Sequence, residues 1–563
     1  MKAENAARKV KASAPKVLEL EYDLSALPSS QHRAGLAGLA LMVEWLERSG
    51  ERERGVCEIV RGERTLRLRV DQEGLAALLD EVYAASMEEI AVSTPYKNKP
   101  PLRTYEQEVT AGPSGKSKTK VFHVYPQVVP AGAFRQAWER TPDGDGKGLW
   151  TKLWRDMVWS ILRGVPATRK PFELRAEEKP SNDAAKIWKE LAKRESSVPL
   201  PSTYYLGAQD RTAENVAFRD QARDQLLLHF WPFVAEIYVP VEIDNDGKTK
   251  HRGYAVTVPD VTNLELFCDD LGSAMSARDD ARAGYRPRQS LIDVSLQAGL
   301  DFFARLKPQL QLREGRRRYA DVLAGVDVFH VEKEGNNIRM RGVGRVDPDE
   351  GQIKEYIDLR GRYFTHDFRR QRMENLVRRR PWYEGFDRLL STTAWQRTIG
   401  SRYFPGDVRK AFDLEIEQAR LRRQQEVATM TETSESNVSE GPSLESLIYN
   451  LAQSYVLGKT ASKYGLQYDK VKGNPKELHD YSEARAKIAR EAFLGVRSRT
   501  GEDFVAYFTA TLCSVPRYMN EEAFKELGCA LLDESKRDKV RTLTLLALCA
   551  HGWSPQQKEE KPS

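Results

Sequence analysis

Residues 429–442 are rich in Ser, Thr, Glu and Gly and lack any apolar periodicity, and this break divides the 563-residue chain into two stretches with different hydrophobic repeats. Downstream, residues 443–458, 482–497, 503–512, 520–532 and 536–549 each place apolar residues at helical spacing without a strand pattern, which predicts a helical bundle over 443–563. Upstream, short alternating runs are mixed with helical ones. The fold class this implies is α+β and multi-domain: a mixed α/β N-terminal body with hairpins, then an all-helical C-terminal bundle.

Within the body, residues 1–16 read as a flexible basic tail, carrying Lys2, Arg8, Lys9, Lys11 and Lys16. An N-terminal α+β domain is expected over 17–148. It opens with a strand at 17–22, a helix over 31–48 capped by Ser29 and Ser30, and a hairpin over 58–70 turning at Arg61 and Gly62, after which Asp71 caps the next helix. Residues 93–120, dense in Pro, Gly and Lys, read as a long irregular basic loop. A central α+β region follows over 149–300. Trp154 and Trp159 stand at helical spacing as core residues, a polar linker is expected near 175–197, and a hairpin turns at Asp244 to Gly247 into a strand at 254–258. Residues 290–310 read as a helix, and a further hairpin is expected at Gly335-Asn336-Asn337.

The charge is concentrated. Between Asp301 and Lys410 there are 24 Lys and Arg against 16 Asp and Glu, a local excess of +8 where the whole chain carries +6, so the remainder is slightly acidic. Twenty of those 24 cations are arginine, whose planar guanidinium forks phosphate oxygens. The region 301–428 is therefore read as nucleic-acid-binding, with Arg316, Arg317, Arg318, Arg341, Arg345, Arg369, Arg370, Arg372, Arg378, Arg379 and Arg380 as backbone contacts. Solvated helix faces are the plainer account of any single arginine. Tyr319, Tyr363, Phe364, Phe368, Trp382, Tyr383 and Trp395 are interleaved with them, so stacking on unpaired bases can accompany phosphate neutralisation.

No catalytic motif emerges. The chain has no G-x-S-x-G, P-loop or H-E-x-x-H run, and its eight histidines are dispersed. No catalytic residue, metal ligand set or cofactor is assigned. His366-Asp367 lacks companion ligands, and the acidic turn at 244–247 lacks the closing bidentate Glu of a calcium loop. Gly342-Val343-Gly344 lacks the third glycine of a dinucleotide loop and reads as a bend in a β-ribbon, with a phosphate-hugging loop as the alternative. The five cysteines contain no C-x-x-C pair, which fits a reducing cytoplasm rather than a secreted framework. No run approaches a membrane span, and the opening residues lack the apolar core of a signal peptide.

Three stretches carry a family resemblance: residues 24–46 (LSALPSSQHRAGLAGLALMVEWL), 202–218 (STYYLGAQDRTAENVAF) and 226–261 (LLLHFWPFVAEIYVPVEIDNDGK, then GYAVTVPDV). Across about 18–410 the chain resembles the large subunit of type I CRISPR surveillance complexes, in particular the Myxan-type variety grouped with subtype I-B. The resemblance implies a non-enzymatic protein whose partners are guide RNA, target DNA, the backbone, guide-end and small subunits, and a separate helicase-nuclease or transposition machinery. It implies reading of a short duplex motif beside the target and holding of the opened DNA. Base pairing supplies the sequence specificity, a division of labour stated for a different CRISPR effector.

For motif reading the candidates are Lys97, Asn98, Lys99, Arg103, Lys116, Lys118 and Lys120, because a basic, Asn-containing loop can enter a groove. Tyr204, Gly207 and Gln209 belong to the second matching stretch and read as structural. In the same family, small subunits arise from internal starts. Met430 precedes the helical bundle, and Gln425-Glu426-Val427 can be encoded by a purine-rich ribosome-binding sequence, so Met430 is an internal start candidate. Two other classes stay open: a nuclease whose dispersed carboxylates, such as Asp321, Asp327 and Glu355, converge in the fold, and a basic scaffold without DNA affinity.

Overall fold

A computed structural model of the protein describes residues 16–49, 54–111, 116–133, 170–181, 183–193, 195–199, 216–217, 219–243, 249–276, 292–312, 318–334, 337–430, 443–514 and 521–552. The fold is multi-domain α+β. The chain divides into two compact units, Met1–Ile353 and Lys354–Ser563, and the boundary falls inside the helix Glu350–Arg362.

In the first unit, β1 (Val17–Asp23), β2 (Cys57–Arg61) and β3 (Thr65–Asp71) form an antiparallel sheet in the order β1-β3-β2. The strict alternation of β3 explains its central place: Leu66, Leu68 and Val70 are buried, while Arg67 and Arg69 face outward to Glu21 and Glu58 at 2.6 and 3.1 Å. The Asp71 carboxylate then accepts from the Gly74 N–H at 2.7 Å, capping the helix Gln72–Val82.

The helix Ser30–Ser49 is central to this unit, with Ala34, Leu36, Ala37, Leu39, Ala40 and Val43 fully buried. Its small residues permit close approach. A Cβ on Gly35 would stand 2.3 Å from the Leu227 carbonyl oxygen, and one on Gly38 would stand 2.1 Å from that of Phe230.

A second sheet, in the order β4-β6-β5, joins β4 (Ala85–Val92), β5 (Arg103–Ala111) and β6 (Lys116–Pro130). The basic loop expected over 93–120 is thus largely a β-ribbon, with Arg103 opposite Val124 and Ala111 opposite Lys116. Its strands carry charged or exposed residues on both faces, so they show no apolar alternation to the eye.

Short strands β7 (Ser197–Pro199) and β8 (Arg219–Gln221) pair, and so do β10 (Val241–Ile243) and β11 (Thr249–His251). The main sheet has the order β14-β13-β12-β9 and comprises β9 (Glu236–Tyr238), β12 (Tyr254–Val261), β13 (Leu323–Glu334) and β14 (Asn337–Val346). Strand β12 is buried from Ala255 to Val261, between β9 and β13 and against the helices Ser30–Ser49 and Val294–Leu312, which is why apolar residues predominate in it around Thr257 and Asp260. Strand β10 therefore pairs with β11, while 254–258, expected as the returning strand, pairs with β13 and, at its centre, with β9. The region 175–197 also departs from a linker. The helices Lys170–Ala176 and Asp183–Leu191 occupy much of it, and Ala184, Trp188 and Leu191 bury one stripe whose charged neighbours hide it in the sequence.

The second unit is helical among its described residues. The helix Glu534–His551 is buried from Val540 to its end and is packed by Phe404–Met430, Leu444–Tyr464, Pro475–Arg497 and Glu521–Leu532. Residues 354–430 thus pack with the C-terminal helices rather than standing apart from them. The Arg541 guanidinium satisfies the end of Pro475–Arg497, donating to the carbonyls of Arg499 at 2.8 Å and Arg497 at 3.3 Å. Gly465, at φ +70°, terminates Leu444–Tyr464 in the left-handed conformation.

No helix among the described residues is long and apolar enough to cross a membrane. The basic tail before residue 16, Trp154, Trp159, Tyr204, Gly207, Gln209, Arg316, Arg317, the acidic turn and residues 431–442 lie outside the described residues.

Candidate nucleic-acid interface

The first group of sequence-selected cations lies beside the second sheet. Lys97, Asn98 and Lys99 are exposed just before β5, and Asn98 takes φ +63°, a left-handed conformation that asparagine tolerates. The segment is held from behind. The Tyr96 N–H donates to the Tyr125 hydroxyl at 3.1 Å, their rings lie 4.5 Å apart, and the Lys99 ammonium reaches the Pro126 carbonyl at 3.4 Å. Tyr125 is buried, so this loop rests on a core anchor. Arg103 is paired with Glu89 at 2.6 Å across the exposed surface. Lys116, Lys118 and Lys120 occupy alternate positions on β6, and Lys120 is exposed.

The second group lies on the β13–β14 ribbon. The register shifts at His330/Val331, leaving Arg341 as the extra residue of a bulge, which accounts for the bend expected at Gly342-Val343-Gly344. Gly344 is needed for packing, because a Cβ there would meet the Ser295 Cβ at 2.5 Å; this stretch is strand and not a phosphate loop. Its arginines are already partnered. Arg341 bonds Glu332 at 2.8 Å and also Glu334. Arg345 reaches Asp260 at 2.8 Å, Asp347 at 3.1 Å and Asp327 at 3.3 Å, and Asp260 also accepts from Arg33 at 2.5 Å. This lattice ties β12, β13 and β14 to the helix Ser30–Ser49, and Arg345 stands in it with its side chain 41% exposed. Arg318 is exposed before a 3₁₀ turn, where its N–H donates to Asp321 at 2.8 Å.

The third group belongs to the second unit. Arg372 departs from the surface role: it is 2% exposed, bonds Glu355 at 3.1 Å and lies 5.5 Å over the Trp382 ring. Burial, outweighing the attraction of Arg372, raises the Glu355 carboxyl above its ordinary range. Arg369 is half-buried and Arg370 exposed.

Arg378, Arg379 and Arg380 are exposed together where the helix His366–Val377 ends. Their backbone is pinned, with N–H groups bonded to the carbonyls of Glu374 at 3.0 Å, Leu376 at 3.2 Å and Asn375 at 2.8 Å. The buried Asn375 amide also donates to the carbonyls of Trp382 and Glu384, both at 2.9 Å. Asn375 therefore positions the cluster, a role that only contact geometry reveals. Arg378 and Arg380 make exposed pairs with Glu374 at 2.8 Å and Glu384 at 3.0 Å, which solvent weakens enough for phosphate to compete.

Most of the interleaved aromatics are core residues. Tyr319, Tyr363, Phe368 and Trp382 are buried, whereas Phe364 and Trp395 are exposed. The three candidate carboxylates have separate partners: Asp321 accepts from a backbone N–H, Asp327 bonds Ser30 and Arg345, and Glu355 bonds Arg372. His366 and Arg397 hold the Asp367 carboxyl below its usual range. Among the described residues no three His, Cys, Asp or Glu side chains form a group able to hold a metal ion. Burial pushes the thiols of Cys57 and Cys268 up to about 12 and that of Cys513 to about 11, which disfavours thiolate chemistry.

These features define a multi-domain α+β protein with exposed lysines and arginines in both units. The chain matches the type I-B CRISPR Cas8b N-terminal domain over residues 56–316 and the type I-B CRISPR Cas8b C-terminal domain over residues 323–551. It belongs to the Cas8b family, the large subunit of type I-B CRISPR complexes, and that membership places it in a Cascade complex with other Cas subunits. No curated protein matches the chain.

Proposed function

We propose that this chain is a cytoplasmic, non-catalytic large subunit that reads the target-adjacent motif in duplex DNA, stabilises the R-loop and recruits a separate helicase-nuclease or transposition machinery. The observation that carries the reading is the exposed Lys97-Asn98-Lys99 segment resting on the buried Tyr125, a short basic element held at a fixed place, within a member of this family. Asparagine can bond a base edge bidentately while lysine neutralises the flanking phosphates. The pinned Arg378-Arg379-Arg380 cluster supports a sequence-independent hold on nucleic acid backbone, with guide RNA and target DNA as the partners.

The two roles separate in one experiment on the assembled complex. Asn98→Ala and Lys99→Ala should weaken binding to a matched motif more than to a mismatched one. Neutralising Arg378, Arg379 and Arg380 together should lower affinity on both and shallow the log-log salt dependence by about 0.7–0.9 for each phosphate no longer neutralised. Equal losses on matched and mismatched motifs would remove the loop from motif reading, and an unaltered salt slope would assign the arginines to packing.

The isolated chain is expected to leave DNA and RNA intact in the presence of magnesium, since its candidate carboxylates are each engaged elsewhere. Cleavage lost in Asp321→Ala or Asp327→Ala would instead establish the nuclease reading.

The helix Phe404–Met430 ends at Met430 and the next described helix begins at Leu444, so a product starting at Met430 would keep the described helices from Leu444–Tyr464 to Glu534–His551 together, without Phe404–Met430, which packs on the last of them. We expect the intact gene to yield this 430–563 protein as a separate small subunit. Mass spectrometry of the purified complex should detect it, and synonymous recoding of Gln425 to Val427 should reduce it; a yield unchanged by recoding would refute the internal start.

A further inference from the structure

Two large aromatic side chains of the second unit are exposed side by side. Phe364 is 69% and Tyr403 54% exposed, with ring centroids 6.2 Å apart and planes inclined at 35°. Scattered surface aromatics are ordinary, whereas these two stand next to each other on one support.

The support is Asp407, itself 1% exposed. Its carboxylate accepts from the Phe364 N–H at 3.1 and 3.0 Å and from the Thr365 N–H at 2.7 Å, while its own N–H donates to the Tyr403 carbonyl at 3.0 Å. One buried residue thus ties both aromatic positions together. Next to Tyr403 in the chain, Phe404 is fully buried and packs edge-on against Phe368 at 5.5 Å. The backbone that carries both rings is thus tied down before any partner arrives, which lowers the ordering cost of binding.

Charge defines the partner. The Lys410 ammonium stands 4.7 Å from the Phe364 ring centre and donates to the Arg362 carbonyl at 2.8 Å; the Arg402 guanidinium stands 5.4 Å from the Tyr403 ring centre. Neither cation has a carboxylate partner among the described residues, whereas nearby Asp358 and Asp367 are bound to Arg362 and Arg397. Two adjacent aromatic rings, each with a cation over one face, match a ligand that alternates planar rings with anions. Duplex DNA hides its base faces, so the ligand is an unpaired strand.

We propose that Phe364 and Tyr403 form a stacking platform for unpaired nucleobases, with Lys410 and Arg402 holding the adjoining phosphates. The proposal rests on the nucleic-acid reading above and assigns this patch to single strands specifically. Stacking is tolerant of sequence, so the platform would hold an opened strand of any composition.

The test uses the full chain in its complex and four labelled probes: oligothymidylate, oligouridylate, an abasic strand of equal length, and a duplex. Changing both Phe364 and Tyr403 to Leu keeps apolar bulk and removes the π faces. This variant should bind oligothymidylate about tenfold more weakly than the native complex, and the abasic strand and duplex equally well. Phe364→Trp with Tyr403→Trp should restore binding. A matching loss on oligouridylate makes guide RNA an additional occupant, and a loss on DNA alone assigns the platform to target strands; both support stacking. Unchanged oligothymidylate affinity, an equal loss on the abasic strand, or release of another subunit with no loss of strand binding would overturn the platform. If the native complex binds none of the probes, the nucleic-acid reading itself falls, a result distinct from native binding that the Leu variant leaves intact.

Discussion

Gly38→Val should destabilise the first compact unit by about 3 kcal/mol or more, enough to expose it to proteolysis under conditions where the native chain is resistant. A Cβ at position 38 would stand 2.1 Å from the Phe230 carbonyl oxygen and 2.7 Å from its carbon. The obstacle is backbone and cannot rotate aside. The helix Ser30–Ser49 would have to withdraw from the segment that carries Leu227 and Phe230, both fully buried, and the apolar packing along that line would loosen. Gly361, in the helix Glu350–Arg362 where an added Cβ meets nothing within 4 Å, supplies the control, since Gly361→Ala should not destabilise and can add up to about 1 kcal/mol through helix propensity. Denaturant unfolding of both variants measures the difference, and a native-like midpoint for Gly38→Val would show that the helix does not depend on this approach.

Acid should weaken the second unit through His551. Burial chiefly, with the nearby Arg485 and Arg409 adding to it, drives this imidazole from 6.5 down to about 3. The ring is buried at the end of Glu534–His551, 5.5 Å from Tyr449, and its Nε2 has no hydrogen-bond partner to receive a proton's charge. Its folded value lies below its unfolded one, so the unfolded chain binds the extra proton first. Stability is whole above about pH 6.5 and is lost as the pH falls toward 3, by on the order of 4 kcal/mol across that window. His551→Phe removes the titrating group while keeping a buried ring. The difference between native and variant unfolding free energies, followed from pH 7 to 4, should therefore grow as the pH falls; parallel curves would mean that the imidazole is hydrated or partnered in solution. Measuring the difference cancels the carboxylates that titrate in the same range, including Asp367 and Asp533, whose values are depressed.

Local features were legible in the amino-acid order. The β2–β3 hairpin, the Asp71 cap, the β13–β14 hairpin and the helices after residue 443 depend on neighbours a few residues apart, and strand alternation or helical spacing records those neighbours directly. The ribbon over 103–130 and the helices over 170–191 escaped because charged residues crowd their apolar positions, and pairing across strands decides the ribbon.

At the candidate interface, composition located arginine and aromatic residues but did not sort them. Arg372 and Arg370 stand two residues apart on one helix, yet one is buried against Glu355 and Trp382 and the other faces solvent. Phe364 and Phe368 are likewise four residues apart, one exposed above Asp407 and the other fully enclosed. The sequence by itself determined the α+β class, the family, and the charge that a partner must complement. Tertiary structure alone decided which cations remain available and which rings reach solvent, because both depend on partners brought together from distant parts of the chain, such as Arg345 with Asp260, and Phe364 with Asp407.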